Sequence, residues 1–161
     1  MDNKIYLFIR EENYEKGVIE MKKKDLGQFF TKNDIWLTPQ IEDFIKNSNK
    51  TAVLDPFCGQ GDLLQVAKSL GFSNLQGYDI DKSLSWVLND SLINIDKTDA
   101  LILTNPPYLA KNSAKRQKSP SYKYFKDNTY VDLYLIALDK ILKSADTAVA
   151  IIPESFIQTN L

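Results

Sequence analysis

The chain has 161 residues, about one domain, and 43% of them are hydrophobic, enough for a single core. Twenty basic against 21 acidic residues leave a net charge of -1, so any nucleic-acid role must sit in a local patch. One cysteine, Cys58, excludes an internal disulfide, and the lack of histidine excludes a His-ligated metal and imidazole base catalysis; no metal site is expected. No apolar run approaches the ~20 residues of a membrane span and no signal peptide is visible, so the protein reads as cytoplasmic.

Residues 1–25 join a short apolar patch, Ile5 to Ile9, to charged runs at Arg10 and Lys22 to Lys24. They read as a short strand or helix turn and a polar connector, an extension ahead of a domain over 26–161. A loop, Gly27 to Thr31, then leads to Thr38-Pro39, where proline suits the first position of a helix over 40–47 that puts Ile41, Phe44 and Ile45 on one face. Phe30 in that loop suits a core anchor.

A β-rich run from Thr51 ends at Asp55, and Pro56-Phe-Cys-Gly-Gln-Gly61 follows. Gly59 and Gly61 let backbone approach a ligand, and Asp62 is placed to cap a helix presenting Leu63, Leu64, Val66, Ala67 and Leu70 to a sheet. The next apolar stretch starts at Leu75 and ends at Asp79, which stands 20 residues beyond Gly59, the spacing at which an acid meets a ribose. Asp81 competes for that role but suits the cap of a helix starting at Lys82. No Gly-Lys-Ser/Thr follows Gly61, and the third glycine of a dinucleotide fingerprint is missing, so a ligand without phosphate fits better. Cys58 has no base nearby in sequence and reads as packing.

Strand-like Ala100 to Leu103 runs into Asn105-Pro-Pro-Tyr108. Two prolines forbid strand or helix there, leaving an amide, a carbonyl and a ring on a rigid corner that can grip a flat amine. A Pro-rich turn capping a buried strand is the plainer alternative. From Leu109 to Lys126 no periodicity is visible, yet Lys111, Lys115, Arg116, Lys118, Lys123 and Lys126 come with no acid, interleaved with Tyr122, Tyr124 and Phe125. That pattern suits phosphate contact and base stacking, or a solvated loop. Apolar residues at helical spacing over 131–143 and a buried strand over 147–152 follow. Strands alternating with helices predict an α/β fold, an open, mostly parallel sheet with helices on both faces.

Asn105-Pro-Pro-Tyr108 resembles the catalytic motif of amino-group methyltransferases that use S-adenosylmethionine, above all the gamma-type DNA adenine-N6 methyltransferases. Asp55 to Gly61 and Tyr78 to Asp81 resemble their cofactor motifs. The resemblance covers about residues 26–161 and implies a Rossmann-like methyltransferase fold, with Asn105, Pro106, Pro107 and Tyr108 as the catalytic corner. It implies cofactor contacts from Phe30, Thr31, Asp55, Gly59, Gly61, Asp79 and Ile80, and from Asp90 and Leu92 at the cofactor's adenine. It implies target-pocket lining by Asp132 to Tyr134, and DNA as the partner of Lys111, Lys115, Arg116, Lys118 and Lys123. Lys32 departs from the family's usual proline in the loop before the first helix. In that family more strands and a target-recognition domain come later, so the chain is expected to be the amino-terminal part of a catalytic domain, truncated before the last strands. The outer edge of the strand over 147–152 is then expected to be unpaired, recruiting a second chain or driving self-association. Methylation of a glutamine amide or an RNA base, and an inactive cofactor-binding remnant, are the alternatives.

Overall fold

The computed structural model describes residues 4–10 and 36–153. Its centre is a six-stranded, all-parallel sheet in the order β1-β6-β5-β2-β3-β4. The strands are β1 (Lys4–Arg10), β2 (Ala52–Asp55), β3 (Asn74–Asp79), β4 (Val87–Leu88), β5 (Leu101–Thr104) and β6 (Thr147–Pro153). Helices α1 (Pro39–Lys46), α2 (Asp62–Ser69), α3 (Lys111–Arg116) and α4 (Leu133–Ser144) connect them, with a 3-10 helix at Pro120–Phe125. This is a Rossmann-like α/β fold.

Each central strand is apolar on both sides because each face is covered. Val53, Leu101, Leu103, Val149 and Ile151 pack with Ile41 and Ile45 of α1 and Leu63, Leu64 and Ala67 of α2. The alternate residues Leu54, Ile102, Ala148, Ala150 and Ile152 pack with Tyr134, Leu138 and Ile141 of α4. Burying each such Leu or Ile is worth roughly 1.5–3 kcal/mol. From β2 the chain moves outward to β3 and β4, then returns to β5 on the other side of β2. The order therefore reverses between β2 and β5, and doubly wound sheets bind ligands beyond the carboxyl ends of strands at such a point.

Several expectations change. Lys4–Arg10, read in sequence as part of an extension ahead of the domain, is the outermost strand, paired in parallel with β6 from Lys4 opposite Thr147 to Arg10 opposite Pro153. The outer edge of β6 is therefore occupied, and the expected self-association through it has no edge to use. An apolar strand buried on both faces needs a neighbour, and the patch around Ile5 to Ile9 supplies one from the far end of the chain. Asp62 is the first residue of α2 and not its cap; Gly61 holds the cap position with φ 84° and no side-chain bond. Asp81 caps no helix: its Oδ1 accepts from Ser83 N–H at 2.8 Å in a turn, and β4 follows.

Residues 109–126 are also more ordered than a loop. Ala114 and Phe125 are fully covered and join Leu92, Leu109, Leu133, Ile136 and Ala137 in a third apolar cluster. Ser119 caps the 3-10 helix, its side chain accepting from Ser121 N–H, with Pro120 at the first position. Asp132 caps α4 and also accepts from Leu109 N–H at 3.0 Å, tying the segment to the helix. Among the described residues, no helix is long and apolar enough to cross a membrane.

Candidate active site

A cavity of about 270 Å³ opens beyond the carboxyl ends of β2, β3 and β5. It is near the roughly 300 Å³ lower bound of small-molecule sites. Its wall holds Asp55, Gly59, Asp79, Ile80, Asp90 and Leu92 together with Asn105, Pro107 and Lys123. Residues singled out along 69 positions of chain, from Asp55 to Lys123, thus meet in one space.

The glycine loop is held by backbone hydrogen bonds to Asp79. Gly59 N–H donates to Asp79 Oδ2 and Asp81 N–H to Oδ1, both at 2.8 Å, so the carboxylate is fixed through one bond on each oxygen. Each oxygen keeps a lone pair for a ligand. Gly59 has φ 52°, a conformation that side chains disfavour. Gly61 lies outside the cavity lining; its glycine is required by packing, since a Cβ would come within 2.6 Å of the Trp86 ring. The same indole donates from Nε1 to the Gly59 carbonyl at 2.8 Å and crowds Gly77, where a Cβ would lie 2.7 Å from both the Trp86 ring and Cys58 Sγ. Trp86 and Gly77 therefore shape the loop from behind.

Asp55 is 2% exposed and accepts from Phe57 N–H at 3.0 Å and from the Thr104 hydroxyl at 2.6 Å. Burial pushes its carboxyl up to about 7, against the pull of those two donors. Through Thr104 the end of β2 is bonded to the residue immediately before Asn105. Burial and the surrounding carboxylates push the Cys58 thiol up as well, which makes it packing and not a nucleophile.

At the corner, Asn105 and Pro107 face the cavity while Pro106 is buried. Tyr108, expected to offer a stacking face, does not line the cavity. Its hydroxyl donates to the Ile151 carbonyl at 2.6 Å and meets Asn105 Oδ1, and its ring lies edge-on to Tyr134 with centroids 6.1 Å apart. A phenol anchored to β6 in this way holds the corner against the sheet. Of the stretch Asp132 to Tyr134, Leu133 reaches the cavity and Tyr134 is core.

The basic segment divides. Lys115, Arg116 and Lys118 are exposed and Lys111 is half-buried on or beside α3, away from the cavity lining, whereas Lys123 lines it and lies 3.6 Å from Asp90 Oδ2. Phe30 and Thr31 lie outside the described residues. Sequence reasoning missed Thr104, Trp86 and Gly77, and gave Tyr124 to nucleic acid, although its hydroxyl meets Asp90 in the cavity. A tryptophan seven residues after the ribose-type acid was the one available signal.

This chain is similar to type II methyltransferases. It is 38% identical over 125 residues to M.HincII of Haemophilus influenzae and, over the same length, to M.HindII of Haemophilus influenzae strain Rd. The match takes in 74% of this chain but 24% and 23% of those proteins, so the chain spans about a quarter of the relatives' length. No family model matches it.

Proposed function

We propose that the chain binds S-adenosylmethionine and serves methyl transfer to the N6 amine of adenine in DNA, as part of a restriction-modification system. The observation that carries this is the single cavity joining the Gly59–Asp79 end to the Asn105–Pro107 corner, in a chain similar to type II methyltransferases.

The residues present fit the cofactor. Asp79 has acceptor capacity for a pair of ribose hydroxyls, and among the described residues lining the cavity Lys123 is the one cation, so nothing there asks for phosphate. Ile80, half exposed, and buried Leu92 supply apolar surface for a purine, with Asp90 beside them. When bound, S-adenosylmethionine supplies a methyl group on a sulfonium whose leaving group is a neutral thioether, so the protein's task is positioning and charge stabilisation. The exocyclic nitrogen of adenine is conjugated with its ring. Asn105 Oδ1 and the Pro106 carbonyl would accept its two hydrogens, favour a tetrahedral nitrogen with an available lone pair, and meet the positive charge that develops there. A strong base is then unnecessary, in keeping with a chain that has no histidine. A duplex base must leave the stack to reach such a corner. Exposed Lys115, Arg116 and Lys118, just beyond it in sequence, suit the backbone phosphates.

The test is calorimetry of the chain with S-adenosylhomocysteine, then methyl-transfer assays on DNA, RNA and a glutamine peptide. Binding is expected of the chain itself, and label on DNA adenine of a protein that completes the catalytic domain. Transfer to RNA or peptide alone would overturn the substrate assignment, and absence of binding would overturn the cofactor.

A further inference from the structure

From the 3-10 helix Pro120–Phe125, Tyr124 and Lys123 reach Asp90 in the cavity wall, a contact that the resemblance leaves out. Tyr124 is half-buried, and its hydroxyl donates to Asp90 Oδ2 at 2.7 Å. Burial, reinforced by that bond and by the Asp90 charge, pushes the phenol well above its ordinary value, so it remains a donor throughout the neutral range. Lys123 lies 3.6 Å from the same oxygen and 4.6 Å from the centroid of the Tyr124 ring. All three side chains line the cavity. Two donors thus converge on Oδ2, whereas Oδ1 accepts no hydrogen bond from any described residue.

A carboxylate with one oxygen anchored is a fixed acceptor with nothing to donate. It suits a ligand edge that presents an amine and repels one that presents a carbonyl. Released from its anchor, the same carboxylate could turn to meet the N1–H of a 6-oxo purine, and the distinction would fade. We propose that Tyr124 is a specificity-determining positioning residue: by anchoring Asp90 Oδ2 it leaves Oδ1 as a fixed acceptor, so that the cavity selects a 6-amino over a 6-oxo purine. The inference rests on the reading of the cavity as a nucleoside-cofactor site. It moves Tyr124 and Lys123 from the nucleic-acid surface to the discrimination of the cofactor's base.

The experiment is calorimetry of the full chain and its Tyr124→Phe variant with two probes, S-adenosylhomocysteine and its inosine counterpart. Phenylalanine keeps the ring packed in the third apolar cluster and removes only the hydroxyl. The wild-type chain should prefer the adenosyl probe by about 10-fold or more, the scale of a hydrogen bond to a charged group. Tyr124→Phe should lower that preference by about 5-fold or more, chiefly through weaker adenosyl binding, a change of ratio that a merely structural role would not produce. An identical preference in both proteins would overturn the inference and leave the cofactor reading standing. Failure of the wild-type chain to bind either probe would overturn both.

Discussion

Aspartates at the two ends of the sheet are treated in opposite ways. At the amino ends of the strands, Lys50 bridges Asp99 at 2.6 Å and Asp146 at 2.9 Å, clasping the approaches to β2, β5 and β6. The lysine stem is covered while its ammonium reaches the surface. Hydrogen bonds to both carboxylates hold the ammonium above its usual range, and Lys50 holds the Asp146 carboxyl below its own. At the carboxyl ends, Asp55 and Asp79 terminate β2 and β3 with relative exposures of 2% and 7%, yet among the described residues they accept from neutral N–H and O–H donors. Charge is paired where the structure has only to be held. Where a ligand is expected, Asp55 and Asp79 have no cation partner among the described residues, and Asp79 keeps acceptor capacity to spare.

The sharpest break of this contrast lies at the corner. In a protein that completes the catalytic domain, Asn105→Ala should lower methyl-transfer turnover by about 10²-fold, as loss of a transition-state acceptor does, while S-adenosylhomocysteine affinity stays level. An alanine enzyme turning over at the wild-type rate would remove Asn105 from the chemistry. Next in size, Asp79→Ala should weaken cofactor binding by ~1.5–3 kcal/mol, because it removes a charged acceptor and releases the glycine loop together. Equal affinities in calorimetry would refute its ligand role.

Asp55 sharpens the comparison through pH. Burial raises its carboxyl in the folded chain to about 7 from the ordinary 3.8, so folding takes up a proton between those values. The associated stability is fully present below about pH 4 and is lost as pH rises through about 7. Asp55→Asn removes this dependence. Relative to wild type, the variant should gain stability steadily as pH rises from about 4 to 8, read as a widening difference in melting temperature. A constant difference across that range would mean that Asp55 is not raised. The smallest effect belongs to the amino end. Lys50→Met should cost about 1 kcal/mol or less in low salt, fade in high salt and leave cofactor affinity untouched. Loss of cofactor binding in that variant would show that the two ends are not independent.

Much of the site was legible because its chemistry is local. Asp55, Gly59, Asp79, Asn105 and Pro107 each end a strand or form a tight turn, and strand ends, glycines and prolines are marked by residue type within a few positions. The helices α1, α2 and α4 were legible for the same reason, through apolar residues that recur every three to four positions. The pieces at Lys111–Arg116 and Pro120–Phe125 were not, since each is only six residues long and shows no period before it is packed.

The sequence by itself therefore determined the alternation of strand and helix, the polar corner after β5 and the pairing of a glycine turn with an acid 20 residues later. Tertiary structure alone decided that β1 covers the edge of β6, that Trp86 stands behind Gly61 and Gly77, that Thr104 bonds Asp55 to the corner, and that Tyr124 turns into the cavity while Tyr108 is tied to Ile151. The division has a physical cause. Backbone preference and periodicity are set by neighbours in the chain, whereas an edge, an indole packed on a glycine or a hydroxyl on a carboxylate depends on residues about 10 to 150 positions apart, which only the folded sheet brings together.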